Sequence, residues 1–277
     1  VRVVSGVDGS TIHTVTGTNS QERFGHSVTG LGDLNNDGHA DYAVGAPVHH
    51  IYVNAIGLPY VRVVSGINGS TLNTLNGSTD PTGDFEQDFG LQVTSVGDRN
   101  GNGRRELVFT VPLFHKVQFI PFNTIDFGIV GRVYVGDPLG PKSLFNRIDG
   151  TYAGQVIGSR IGTTKVNGGA AEKLIWTEWS PYPNPPPTVT HGPGVDSHAR
   201  VRIHKAATNG SIALISPPYP GLSPAANRSF GKAIAGDGDF NGDGSNDVVV
   251  GISEDDSCGH NCGSIEVFLT PLNVTTR

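Results

Sequence analysis

Short runs of apolar and β-branched residues alternate along the chain with clusters of Gly, Asn, Asp and Ser. The first run, Val1-Arg2-Val3-Val4, is typical, because apolar and polar residues alternate in it and a Gly-containing turn follows. Alternation with a period of two predicts strands that bury one face, and the turn residues predict hairpins between them. The pattern therefore predicts an all-β protein of many short strands.

This first run is part of an internal repeat. Residues 1–11 return with conservative changes as residues 61–71, and weaker copies of the same strand begin at Gly131, Ala199 and Ser264. Self-similarity at intervals of roughly 65 residues is typical of architectures that stack one supersecondary unit many times.

A second signature, Phe-Gly, lies between the copies of the first. Each copy opens a segment that is predicted to form a strand, a polar loop, a β-branched strand, a long connection, and then the repeated Val-Arg-Val strand with its hairpin. The copies are Phe24-Gly25, Phe89-Gly90, Phe230-Gly231 and a degenerate one at Ile157-Gly158.

A small sheet of this kind cannot bury both of its faces alone. In a β-propeller, several such sheets stack radially, so that neighbouring sheets cover both faces of each one. We predict one propeller domain over residues 1–277, with about four full units plus an N-terminal half-blade. The predicted bounds are 1–23 for the half-blade and 24–88, 89–156, 157–229 and 230–277 for the units. The propeller is either complete or part of a larger one.

The half-blade lacks the inner strands that precede every other copy of the Val-Arg-Val strand. We expect residues 1–18 to complete a sheet outside their own repeat, because an uncovered strand pair exposes backbone edges. The partner would be either the C-terminal unit or another polypeptide, which includes self-assembly.

Two polar loops between predicted strands have the pattern of calcium-binding loops. Oxygen-bearing side chains occupy positions 1, 3, 5 and 9, and Gly occupies position 6, where it permits a sharp turn. The predicted ligands are Asp33, Asn35, Asp37, Asp41 and the His39 carbonyl in one loop, and Asp239, Asn241, Asp243, Asp247 and the Ser245 carbonyl in the other. An EF-hand is disfavoured, because position 12 is Val44 or Val250 and a strand follows.

A third loop matches this pattern less well. Its candidate ligands are Asp98, Asn100, Asn102 and Glu106. Position 5 has lost its carboxylate, and Arg104 and Arg105 have been added. Two hypotheses stay open, weak calcium binding and an empty loop held by arginine. We therefore predict two Ca²⁺ sites, with this loop as the candidate third.

Composition excludes several classes of function. The net charge is −6 with no cluster of Lys or Arg, which argues against nucleic acid as a partner, and no apolar stretch is long enough to cross a membrane. No catalytic motif of a hydrolase, zinc protease or phosphate-binding loop occurs, so the protein is predicted not to be an enzyme. Since the chain starts at Val1 and contains no Met, we expect that an initiator was removed, with a targeting segment or because the chain is a piece of something longer.

Cys258 and Cys262 are the two cysteines of the chain. A zinc site would need further ligands, so a local disulfide and an oxidising, extracytoplasmic compartment are predicted. The Asn-x-Ser/Thr sites number about what chance would give, so glycosylation stays open. They are Asn68, Asn76, Asn209, Asn227 and Asn273.

Both tryptophans lie beside a proline-rich segment at 180–187. Trp176 is predicted to be a core residue. Trp179 and Tyr182 are ligand-binding candidates, because aromatic side chains stack on sugars and anchor protein partners. The alternative is that this segment is a tolerated insertion.

Phe24-Gly25, the loop from Asp33 to Asp41 and Gly45-Ala46-Pro47 together resemble the FG-GAP repeat of the integrin α-subunit β-propeller. The last unit matches apart from Gly251-Ile252-Ser253, and the second keeps only Pro112 of Gly-Ala-Pro. The resemblance implies propeller blades, usually seven, with calcium in the inter-strand loops and an extracellular role in recognition and adhesion.

We therefore expect a secreted or surface-exposed, non-catalytic module for recognition, adhesion or structural assembly, with a protein or glycan ligand. Two alternatives follow from proteins that share the repeat, a lectin-like carbohydrate-binding propeller and an accessory domain of a secreted polysaccharide-active enzyme.

Overall fold

The computed structural model describes residues 1–48, 57–78, 85–120, 123–150, 154–165, 172–180, 198–206, 212–214, 219–220, 230–253 and 262–269. Within these ranges the protein is all-β, as predicted, and its one helical element is a 3-10 turn at Lys142–Leu144. No helix in the described ranges has the length and apolar character needed to cross a membrane.

The strands are numbered in chain order. They are β1 (Arg2–Val4), β2 (Thr11–Thr14), β3 (Ser27–Gly32), β4 (Asp41–Ala46), β5 (Tyr60–Val64), β6 (Thr71–Asn76), β7 (Phe85–Gln87), β8 (Val93–Val96), β9 (Glu106–Val111), β10 (Leu113–Ile120), β11 (Asn123–Ile129), β12 (Arg132–Gly136), β13 (Asn146–Asp149), β14 (Val156–Thr164), β15 (Lys173–Ser180), β16 (His198–Ala206), β17 (Ile212–Leu214), β18 (Tyr219–Pro220), β19 (Phe230–Gly238), β20 (Asp247–Ile252) and β21 (Ser264–Phe268).

Four antiparallel sheets follow one another along the chain. Sheet I has the order β3-β4-β5-β6, and sheet II has the order β8-β9-β12-β13. Sheet III has the order β14-β15-β16-β17, with β18 also paired to β16, and sheet IV has the order β19-β20-β21. The register is equivalent between sheets, since Gly45 pairs with Val61 in sheet I as Gly251 pairs with Ile265 in sheet IV.

Strands β1 and β2 form a separate N-terminal hairpin, in which Arg2 lies opposite Thr14. Neither strand pairs with any other strand of the described chain. The hairpin instead packs face-on against sheet I, where the ring of His13 stacks on Tyr42 with centroids 6.0 Å apart. Completion of its sheet by another strand pair stays a prediction.

The second unit contains an additional strand pair in the segment that is predicted to be a long connection. Residues Leu113–Ile120 and Asn123–Ile129 pair as β10 and β11, and β10 also pairs with β7. This inserted sheet buries Phe114 completely. The segment is rich in aromatic and β-branched residues, which favour a pleated conformation wherever one face can be covered.

Three apolar clusters lie between successive sheets. Each contains side chains from two neighbouring sheets, so that sheet I packs on II, II on III and III on IV, and the first cluster also includes Phe114 of β10. Strand β9 is buried along its whole length because sheets cover both of its faces. The described residues form a stacked row in which no closed ring is seen, and closure as a propeller stays a prediction.

Glycines allow the sheets to approach closely. Gly90 has a φ of +77°, and a Cβ there would lie 2.7 Å from Val61 Cγ2. A Cβ on Gly45 would lie 2.1 Å from the Gly90 carbonyl oxygen. The glycine of the Phe-Gly signature is therefore needed for both its left-handed backbone and its contact with the preceding sheet.

Candidate calcium-binding loops

The loop from Asp33 to Asp41 connects β3 to β4 and is held by side-chain-to-backbone hydrogen bonds. The Asp33 carboxylate accepts the N–H groups of Asp37 (3.1 Å) and Gly38 (2.8 Å). Asn35 Oδ1 also accepts the Asp37 N–H (3.0 Å), and Asp37 Oδ1 accepts the His39 N–H (2.9 Å). These contacts wind the loop so that the exposed side chains at positions 1, 3 and 5 lie beside one another.

The loop from Asp239 to Asp247 in sheet IV has the same hydrogen-bond pattern. Asp239 accepts the N–H groups of Gly242 (2.7 Å) and Gly244 (2.8 Å). Asn241 Oδ1 accepts from Asp243 (3.0 Å), and Asp243 Oδ1 accepts from Ser245 (2.8 Å). Two loops about 200 residues apart in sequence thus adopt one conformation, because the same residue types recur at the same positions.

The carboxylate at position 9 anchors the loop. Asp41 is buried, and its Oδ2 accepts the Leu34 N–H (2.8 Å) while its Oδ1 accepts the Gly66 N–H (3.0 Å) from the β5–β6 turn. Asp247 is also buried and accepts the Phe240 N–H (2.8 Å). Sequence reasoning assigned both residues as ligands and missed this structural role.

The exposed carboxylates of these loops are suited to a hard cation. Hydrogen bonding from Asn35 holds the pKa of Asp37 below its usual range, and the Gly244 N–H does the same for the pKa of Asp239. Both groups are therefore ionised at neutral pH. No three His, Cys, Asp or Glu side chains are grouped as a metal site in the part of the chain that is described. Calcium would need amide, carbonyl and water oxygens in addition to the carboxylates.

The third loop, from Asp98 to Glu106, keeps the backbone pattern but directs Arg104 and Arg105 outward. Asp98 accepts from Gly101 (2.7 Å) and Gly103 (2.8 Å). Arg104 pairs with Asp137 at 2.6 Å, and Arg105 pairs with Glu172, next to sheet III, at 2.7 Å. The side chains of Arg104 and Arg105 therefore bind carboxylates that lie outside the loop.

Arg99, at position 2 of this loop, is buried with two nitrogens, Nε and Nη2, that have no hydrogen-bond partner. Burial lowers its pKa, against the opposing attraction of Glu106 and Glu172. The equivalent residue in the first loop is Leu34. We expect Arg99→Leu to raise the free energy of unfolding by about 1–3 kcal/mol, because it removes buried donors that lack acceptors. Thermal or urea unfolding measures the change.

Arg2→Leu is the control for this substitution, because Arg2 is exposed on β1 and its replacement should change stability by less than about 0.5 kcal/mol. A lower melting temperature for Arg99→Leu than for the wild type would contradict the prediction.

Sequence reasoning also missed two buried glutamates that join successive sheets. Glu86 accepts the N–H (2.8 Å) and the hydroxyl (2.9 Å) of Ser78, which follows sheet I. Glu22 accepts the Thr18 N–H (2.6 Å) in the same way after the N-terminal hairpin. The two glutamates share a sequence pattern. Each lies two or three residues before Phe-Gly, and a Ser or Thr that directly follows a Gly lies a short distance earlier in the sequence, where the glutamate can bind it.

The Glu86 carboxylate also binds three side chains of sheet II and its turn. Lys142 Nζ lies at 2.7 Å, Arg132 Nη1 at 3.4 Å, and the Tyr134 hydroxyl donates to Oε1. Tyr60 donates similarly to Glu22 at 2.7 Å. In each case the glutamate joins a residue that follows one strand pair to the third strand of the next sheet.

The remaining candidates are only partly described. Trp176 is buried and stacks on His204 with centroids 3.5 Å apart, so the core prediction is confirmed. Trp179 lies on β15, but its side chain and the whole of Tyr182 are outside the described residues. Cys258 is also outside them, so the disulfide with Cys262 stays a prediction, as do the lectin-like and enzyme-accessory alternatives.

No protein-family model matches the chain. Integrin alpha pat-2 of Caenorhabditis elegans is 34% identical over 109 residues, which is 39% of this chain and 9% of that protein. The chain thus spans less than a tenth of the length of the curated relative that it matches. The match and the all-β sheets together support a relation to part of an integrin alpha chain.

Proposed function

We propose that this chain is a non-catalytic, extracellular recognition and assembly module, built as FG-GAP-type propeller blades and stabilised by calcium. The observation that carries the proposal is the recurrence of one loop conformation at one position in sheets I, II and IV, in a chain similar to part of an integrin alpha chain.

Calcium would act on the fold through these loops. Without a cation, Asp33 and Asp37 place two negative charges on one tight turn, and like charges at short range are unfavourable. Calcium takes six to eight oxygen ligands and accepts water among them, so two carboxylates, an amide and a carbonyl can form part of its shell. In sheet I the loop also touches the β5–β6 turn, since Ser65 donates to Asp37 Oδ2 at 3.4 Å. Binding would stiffen the contact between the two halves of the sheet.

A stack of small sheets supports recognition because its loops are displayed on a rigid frame. The similarity to part of an integrin alpha chain supports a protein partner as the ligand. A module of this kind needs no catalytic group.

Calcium removal tests the proposal. We expect EDTA to lower the melting temperature and free calcium at 100 times its dissociation constant to stabilise the native state by about 2.7 kcal/mol per site. Asp37→Ala should abolish the contribution of the first loop and leave that of the Asp239–Asp247 loop intact. Calorimetry with and without calcium measures both effects.

Asp8→Ala is the matched control, because Asp8 makes a similar turn with Ser10 (3.0 Å) outside the candidate loops. It should leave the calcium response unchanged. Identical melting curves of the wild-type chain in EDTA and in calcium would refute the calcium part of the proposal.

A further inference from the structure

The guanidinium group of Arg99 has one edge without an acceptor. Nε and Nη2 lie on the same edge of the group, and neither has a hydrogen-bond partner in the described part of the chain. The residue is only 9% exposed. Buried polar groups are nearly always hydrogen-bonded, and a buried donor without an acceptor lowers stability.

Two other arginines of the same unit show what this edge binds. Arg132 donates from Nε and Nη2 to the two carboxylate oxygens of Asp149, at 2.5 and 2.9 Å. Arg104 binds Asp137 in the same way, with Nε at 3.4 Å and Nη2 at 2.6 Å. A carboxylate fits this edge because its two oxygens accept two parallel N–H bonds. A carboxylate is therefore the acceptor that matches the empty edge of Arg99.

The neighbouring glutamates do not supply that acceptor. Glu106 accepts the backbone N–H groups of Arg99 (2.7 Å) and Asn100 (3.3 Å), one with each oxygen. Glu172 pairs with Arg105. Both glutamates attract the charge of Arg99, but neither bonds to its Nε or Nη2.

The conformation of the loop does not require an arginine at this position. The equivalent residue is Leu34 in sheet I and Phe240 in sheet IV, and both loops keep the same bond from the Gly at position 6 to the Asp at position 1. A residue that lowers stability without serving the local fold is typical of functional sites.

Arg99 lines a cavity between its own loop and the turn that connects β12 to β13. The cavity has a volume of about 310 Å³, at the lower end of the range of about 300–1,000 Å³ for small-molecule sites. Much of its wall is apolar, and the apolar side chains are Val135, Pro141, Leu144 and Phe145. Such a wall suits a ligand with an apolar body of about the size of one amino-acid residue.

The charges of the cavity favour a ligand with a single negative charge. Glu106 and Asp137 also line it, but the first is bonded to backbone N–H groups and the second to Arg104. The negative charges of Glu106 and Asp137 are balanced by Arg99 and Arg104. A dianion such as phosphate would add an unbalanced charge, whereas a monocarboxylate matches the one open edge.

We propose that this cavity binds an organic monocarboxylate with an apolar body, whose carboxylate pairs with Nε and Nη2 of Arg99. Both nitrogens are shielded from water in the free chain, so binding includes a turn of the guanidinium group towards the cavity. The same chemistry is offered by a free carboxylic acid and by the C-terminal end of a peptide with an apolar last residue. Carboxylate binding here does not require calcium in the loops of sheets I and IV, so either can fail while the other holds.

N-acetyl-leucine is the probe, and N-acetyl-leucinamide is its uncharged analogue. We expect isothermal titration to show binding of the acid and at least about tenfold weaker binding of the amide, because bonds to a charged acceptor are the stronger ones. The Arg99 Nε–H resonance in ¹H–¹⁵N NMR, identified by its absence in Arg99→Lys, should shift downfield with the acid. A pentapeptide ending in leucine identifies the source: tighter binding than that of N-acetyl-leucine indicates a peptide end, and weaker binding indicates a free acid.

Arg99→Lys keeps the charge but loses the two-donor edge, so it should weaken binding of the acid at least about tenfold. Arg99→Leu should abolish binding while the fold remains, since this variant is expected to be more stable than the wild type. Arg147→Leu is the matched control, because Arg147 is exposed on β13 beside the cavity and does not line it. Its affinity should equal that of the wild type.

Three results would overturn the assignment. They are no binding of the acid by the wild-type chain, equal binding of the acid and the amide, and an affinity of Arg99→Lys equal to that of the wild type. Thermal melting shows that each variant is folded. All titrations use one calcium concentration, so none of these results bears on the melting response to calcium.

Discussion

Replacing Glu86 by Gln is expected to lower the free energy of unfolding by about 3–5 kcal/mol, the usual cost of breaking a buried ion pair by removing one partner. The carboxylate is buried and accepts hydrogen bonds from Ser78, Tyr134 and Lys142. Glutamine keeps the shape but loses the charge, and its amide group cannot accept from all of these donors. Chemical denaturation of both proteins at neutral pH measures the difference.

The effect should depend on pH. Burial raises the pKa of Glu86, but the hydrogen bonds from Lys142 and Tyr134 outweigh it and hold the pKa below its usual range. A depressed folded-state pKa means that the carboxylate stabilises the protein above its unfolded-state pKa, and that this contribution is lost as the pH falls through the folded-state pKa. The difference between wild type and Glu86→Gln should therefore be largest near neutral pH and shrink in acid.

Glu172→Gln provides the comparison. Its pair with Arg105 is more exposed, and such pairs contribute about 0–1 kcal/mol. Equal losses for Glu86→Gln and Glu172→Gln would contradict the prediction that the buried Glu86 carboxylate contributes more to stability than the exposed pair.

The sequence was sufficient to predict the strands that the repeat specifies. Residues 1–11 and 61–71 form equivalent hairpins because the same alternation and turn residues occur in both. The loops of sheets I and IV share their conformation for the same reason, since Asp and Asn at fixed positions hydrogen-bond to backbone a few residues away. These features depend on residues that are close together in sequence, and for that reason a sequence pattern can predict them.

Contacts between distant segments could not be predicted in this way. Nothing in the sequence near Glu86 indicates that Arg132 and Tyr134 lie beside it, because that contact depends on how the chain returns after the inserted β10–β11 pair. The direction of Arg104 and Arg105 depends likewise on Asp137 and Glu172, which lie more than 30 residues further along the chain. The sequence indicates a loop with two additional positive charges, but the carboxylates that pair with them can be identified only from the folded structure.

The last prediction compares two residues that have the same local sequence motif but different packing. The signatures Phe24-Gly25 and Phe89-Gly90 are identical as sequence, but the two phenylalanines have different neighbours. Phe89 is fully buried between sheets I and II, with ring centroids 4.6 Å from Phe109 and 5.9 Å from Tyr134. Phe24 is half-buried, because only the small N-terminal hairpin covers sheet I at that end.

Phe89→Ala should therefore lower the free energy of unfolding by about 3–5 kcal/mol, since it removes a large side chain from a packed core and leaves a cavity. Phe24→Ala, the matched control, should cost about 1–2 kcal/mol, because less area returns to water and the exposed site can relax. Urea denaturation monitored by circular dichroism compares the two variants at one pH and one calcium concentration. If both substitutions cost the same, the hairpin must cover sheet I as completely as sheet I covers sheet II.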